Sequence, residues 1–166
     1  MTTSNKINFA ELIKRPACFL GLGFGSGLAP KAPGTFGTLV AIPLYYLMCD
    51  LPLVWYLAII VAGFIAGVWI CQQSADWLGS DDPSAVVWDE IIGYLITMIA
   101  APTGWQWVVL GFVLFRFFDI LKPWPISLAD RALHGGFGIM VDDVIAGVFA
   151  LVCVQWIYYV FPTISW

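Results

Sequence analysis

Asp89 with Glu90, Asp119, and Asp142 with Asp143 place five carboxylates in three separated stretches of an otherwise apolar chain. Carboxylates drawn together at one site repel unless a cation neutralises them. An all-oxygen donor set, with no His or Cys at ligand spacing, suits a hard ion such as Mg²⁺. Lys31, Arg116 and Lys122 then supply charge for an anionic ligand, and an Arg fork grips phosphate bidentately. Arg116, Asp119 and Lys122 follow at i, i+3 and i+6, so they share one broad helix face. Gly135, Gly136 and Gly138 lead toward a helix N-terminus, where free backbone N–H groups attract phosphate oxygens. Acids for a metal beside bases for phosphate point to phosphoryl chemistry.

Each group also has a plain structural role open to it. Asp142 can stabilise the positive end of its helix, and Arg116 with Asp119 can be an ion pair inside a bundle. Asp89 and Glu90 can snorkel to water from the interface. His134, alone in a polar loop, reads as a hydrogen-bond partner there rather than a general acid. All these roles must hold at once to dismiss a site.

The elements that position these residues follow from composition. The chain has 166 residues, of which 61% are hydrophobic and only 11% charged. A soluble domain of that size cannot hide so much apolar surface. Aromatics at 16%, with nine Trp, suit rings at the headgroup level of a bilayer. The chain therefore reads as an all-α, polytopic membrane bundle, a single membrane-embedded domain over 1–166. Seven scattered basic residues exclude a nucleic-acid footprint. The four Cys have neither CxxC spacing nor a nearby His, and read as buried small hydrophobes.

Apolar runs and breakers predict helices over about 36–49, 53–72, 83–101, 105–121 and 139–161. Residues 1–15 lack the apolar core of a signal peptide and read as a short surface helix, with the bundle over about 17–161. Residues 17–28 are apolar but rich in Gly, which weakens a span. Asp82 reads as an N-cap with Pro83 at the first helical position, and 73–83 and 126–138 read as polar loops. About four to five of these helices are expected to span, and five alternating crossings put Lys6, Lys14, Arg15, Lys31, Lys122 and Arg131 on one side, which the positive-inside rule makes the cytoplasm. Asp89, Glu90, Arg116, Asp119, Lys122, Asp142 and Asp143 fall at that same side, so the phosphoryl group acted on is that of a lipid headgroup.

At these residues the chain resembles the phosphatidylglycerophosphatase A family of bacterial membrane lipid phosphatases. The resemblance lies in GLAPKAPGT from Gly27 to Thr35, WDEIIG from Trp88 to Gly93, FRFFDILKPWP from Phe115 to Pro125 and GGFGIMVDDVIAG from Gly135 to Gly147. Any one block is weak; four in register are specific. The resemblance implies Mg²⁺-dependent removal of the terminal phosphate of phosphatidylglycerophosphate, at the inner membrane of a bacterium. By motif, Asp89, Glu90, Asp119, Asp142 and Asp143 match the acidic catalytic and metal positions. Lys31, Thr35, Arg116 and Lys122 match the phosphate-facing ones, and His134 is placed beside them.

Other lipid phosphoryl enzymes fit less well. One His is too few for the two-histidine phosphatases, and the DG-x-x-A-R and DxDxT signatures are missing. A divalent-cation transporter or channel is the alternative from another class, but its acids should line a path at several depths. The helix middles, as at 54–68 and 149–157, are apolar instead.

Overall fold

Prolines and glycines set the helix boundaries before packing does. In a computed structural model, which describes residues 9–161, Pro16 opens a short helix and Pro33 opens a long one. Proline suits that first turn because its missing N–H has no partner there anyway. The helices are α1 (Phe9–Leu12), α2 (Pro16–Gly21), α3 (Pro33–Met48), α4 (Leu53–Leu78), α5 (Trp88–Thr97), α6 (Trp105–Leu121), α7 (Ile126–Ala132) and α8 (Gly135–Val160). A 3₁₀ segment, Gly23–Leu28, joins α2 to α3 and breaks at Phe24 and Gly25, both with positive φ. No strand occurs among the described residues.

The all-helical expectation holds, and several boundaries move. The helix expected over 83–101 shortens to Trp88–Thr97. Asp82 caps nothing, because Val86 N–H closes a turn onto the Pro83 carbonyl and Val87 N–H donates to the Gly21 carbonyl. The Gly-rich N-terminal segment thus holds the chain back from helix until Trp88. The loop expected over 126–138 contains α7, and α8 begins at Gly135 rather than Ile139. Glycine's poor helix propensity is overridden there by packing. A Cβ on Gly136 would sit 2.0 Å from the Val68 carbonyl oxygen, so only Gly lets α8 lie against α4. Helix α4 runs on to Leu78 past the expected end at 72, since Ser74 and Ala75 are buried, with Gly21 of α2 packed against Ser74, and Gly79 ends it in the left-handed conformation. Of the expected surface helix over 1–15, residues 1–8 lie outside the described residues and α1 is the observed part.

Helix α8 packs against α4, α5, α6 and α7, while α5 also packs on α3 and α4 and so occupies the centre. Every residue from Ile91 to Thr97 is buried. An interior helix end needs partners for its carbonyls. Tyr56 Oη donates to the Leu95 carbonyl at 2.8 Å, and Gln155 Nε2 donates to the carbonyls of Ile99 at 3.0 Å and Ala100 at 2.9 Å. Helices α4 and α8, each of 26 residues, are long and apolar enough to cross a membrane. Helix α5, with 10 residues, rises only about 15 Å, and residues 98–104 complete the chain's return to the far end of the bundle.

Candidate active site

Five helix ends meet at one end of the bundle: the starts of α3, α5 and α8 and the ends of α4 and α6. The first turn of α5 carries Asp89 and Glu90, acids at the positive pole of a helix. Asp143 lies in the third turn of α8, deeper than an opening position, because that helix starts earlier than its glycines suggest. Carboxylate oxygens of Asp89, Glu90 and Asp143 all lie within 4.8 Å of one another. Asp89 Oδ1, Glu90 Oε2 and Asp143 Oδ2 are buried with no hydrogen-bond donor. Buried acceptors without donors are costly, and three together repel. A small divalent cation relieves both problems, and the all-oxygen donor set fits Mg²⁺.

The other two acids are matched to cations. Arg116 Nη1 pairs with Asp119 at 2.5 Å and reaches Glu90 at 3.8 Å. Lys122 Nζ pairs with Asp142 at 2.6 Å and also with Asp130 on α7. Burial pulls the Lys122 pKa down, but the hydrogen bonds to Asp130 and Asp142 outweigh it and hold the ammonium above the ordinary lysine range. Gly34 brings the first turn of α3 onto this group. A Cβ there would lie 2.1 Å from Glu90 Oε1 and 3.0 Å from Arg116 Nη1.

Between these side chains lies a cavity of about 350 Å³, large enough for a small polar headgroup. All five expected acids line it, with Arg116 and Lys122. Lys31 and Thr35 do not: the loop presents Ala32, Pro33 and Gly34 instead, and Lys31 is exposed. His134 lines a separate cavity of about 60 Å³ with Asp81, Asp82, Asp130 and Asp142. The glycine run at 135–138 is less open to phosphate than its sequence suggests, since Gln72 Oε1 accepts the Gly136 N–H at 2.8 Å. Asp130, Asp82 and Ser84 are the polar groups here that spacing did not reveal. Asp130 reaches Lys122 only because the chain reverses at Pro123–Pro125 into α7, and a local motif carries no sign of that.

The chain is similar to known proteins over most of its length. A family model described as phosphatidylglycerophosphatase A matches residues 19–158, which contain every residue of the large cavity. A relative from Escherichia coli K12 named phosphatidylglycerophosphatase A is 51% identical over 137 residues, 82% of this chain and 80% of that protein. One of the same name from Haemophilus influenzae is 42% identical over 161 residues, 96% of this chain and 98% of that protein. A third, from Bacteroides thetaiotaomicron and provisionally named phosphatidylinositol-3-phosphatase, is 41% identical over 153 residues, 86% of this chain and 95% of that protein. No solved structure matches the chain. With a family match over most of its length, the chain belongs to the phosphatidylglycerophosphatase A family.

Proposed function

We propose that the protein hydrolyses the terminal phosphate of phosphatidylglycerophosphate at the cytoplasmic face of a bacterial inner membrane, with Mg²⁺ as its cofactor. The observation that carries this reading is the cavity in which a carboxylate triad, each member with a buried oxygen lacking a donor, faces Arg116 and Lys122. Asp89, Glu90 and Asp143 would hold the ion, which when bound supplies a Lewis acid for a phosphoryl oxygen. Arg116 and Lys122 draw the phosphate dianion in and offset the charge that gathers on it. Asp142 has Oδ2 on Lys122 and a buried Oδ1 without a partner, so it is placed to accept a hydrogen bond from the attacking water. Water adds at phosphorus, the bond to the glycerol oxygen breaks, and phosphatidylglycerol leaves with inorganic phosphate.

Depth supports a membrane-surface site. Helix α8, at 26 residues, is about 39 Å long against a hydrocarbon core of about 30 Å. The surplus is about six residues, so Asp142, the eighth, falls near the hydrocarbon boundary when the far end is flush. Lys14, Arg15, Lys31, Lys122 and Arg131 all lie at the site end, which supports a cytoplasmic orientation. Helices α3 and α6, of 16 and 17 residues, would cross with α4 and α8, and the chain passes back to the far end through the interior α5 and residues 98–104, giving five passes in all. Among the described acids and bases only Asp50 lies at the opposite end. That distribution favours a surface site over a transport path, whose ionisable groups would be strung through the bundle.

Phosphate release from phosphatidylglycerophosphate in detergent micelles should fall to background after EDTA and return with Mg²⁺. Release unaffected by the chelator would remove the metal from the proposal, and faster release from phosphatidylinositol 3-phosphate would reassign the headgroup. Lys122→Ala should raise KM about tenfold or more while kcat changes less, if the ammonium binds phosphate equally in ground and transition states. A loss confined to kcat would show instead that Lys122 acts on charge that develops in the transition state.

A further inference from the structure

Lys122 ends α6 in the left-handed conformation, at φ 42° and ψ 55°, a backbone state that costs energy for any side chain but glycine. Just beyond it the chain turns through Pro123 and Pro125 into α7, which packs back on α8. Asp130, the fifth residue of α7, pairs with the Lys122 ammonium, which also pairs with Asp142 at 2.6 Å. Asp142 borders both cavities, Lys122 only the larger and Asp130 only the smaller. The row Asp130–Lys122–Asp142 therefore runs from one cavity to the other, with Asp82 and Ile139 also bordering both.

We propose that Asp130 is a positioning residue, which holds the Lys122 ammonium at the wall of the larger cavity so that its remaining N–H meets a phosphate oxygen. An ammonium has three N–H donors. Two are committed, one to Asp130 and one to Asp142, which leaves one for a ligand. A lysine tied at two points loses little further rotamer freedom when phosphate arrives, whereas an untethered one must be ordered by the ligand. Asp142 alone does not fix the direction, since a single ion pair lets the four-carbon stem swing about it. This inference rests on the reading of Lys122 as a phosphate-binding residue.

The test is a double-mutant cycle on the affinity of the purified, Mg²⁺-loaded protein for inorganic phosphate, measured by calorimetry in detergent. Asp130→Ala should weaken phosphate binding about tenfold, the scale of a charge-assisted hydrogen bond. Asp130→Glu, which keeps the charge, should restore most of the affinity and shows that α7 still folds. In a Lys122→Ala background the Asp130→Ala change should alter affinity less than twofold. Equal or tighter phosphate binding by Asp130→Ala overturns the inference, since loss of a nearby negative charge alone would draw the anion in. So does an effect of the same size in both backgrounds, which would make Asp130 structural. Lys122→Ala that binds phosphate as the unaltered protein does would overturn the reading of Lys122 itself.

Discussion

Asp143→Asn should lower phosphate release by about 10²- to 10³-fold while leaving the helices folded. The substitution keeps the shape of a side chain that is only 3% exposed and removes one charge from three crowded carboxylates. In EDTA its thermal midpoint should equal or exceed that of the unaltered protein, because the repulsion among Asp89, Glu90 and Asp143 is relieved. Added Mg²⁺ should separate the two proteins. An ion at one hundred times its dissociation constant stabilises the native state by about 2.7 kcal/mol, which for a chain of this size is roughly 5–10 °C. That rise should appear in the unaltered protein and largely vanish in Asp143→Asn. A full Mg²⁺-induced rise in the variant would place the ion elsewhere and leave the triad without a role.

The second large effect is expected from a residue with no functional group. Gly147 of α8 faces Gly93 of α5 so closely that a Cβ on Gly147 would sit 2.4 Å from the Gly93 carbonyl oxygen. On the other side, a Cβ on Gly93 would lie 2.8 Å from the Asp143 carbonyl oxygen and 2.6 Å from the Phe115 ring. Backbone cannot rotate out of the way as a side-chain tip can, so Gly147→Val must push α5 and α8 apart. The cost should be about 3 kcal/mol, the upper part of the range for overpacking. These same two helices carry Asp89, Glu90 and Asp143, and a shift of about 1 Å at a catalytic group can cost 10²-fold in rate. Activity and thermal midpoint in detergent should both fall. Gly63→Ala is the contrast: its Cβ would meet only the Ile92 Cδ1 tip, which can move, so the loss should stay near 1 kcal/mol or below. Equal tolerance at the two sites would show that the α5–α8 contact is looser than its backbone distances indicate.

The lesson of these positions is that residue type was legible and depth was not. Read from the sequence, the small residues Ala146, Gly147 and Ala150 stand at i, i+1 and i+4 of one apolar helix, and the fold packs them with Ala146 and Ala150 fully buried. The same reading brought five acids and two bases to one end, because apolar helices in a membrane leave so few places for charge. It misplaced the starts of α5 and α8, since both depend on partners distant in sequence: the Gly21 carbonyl for Val87, and the Val68 carbonyl for Gly136.

The amino-acid sequence by itself determined the helical class and the chemical inventory of the site, for composition and residue type act without regard to neighbours. Only the tertiary structure divided the five acids into a triad of Asp89, Glu90 and Asp143 and two that are matched to Arg116 and Lys122. It alone brought Asp130 to Lys122 and left Lys31 and Thr35 out of the cavity's lining. The physical reason is reach: Coulomb and hydrogen-bond partners are chosen within a few ångströms, and that distance is set by how helices pack and where the chain turns, not by separation along the sequence.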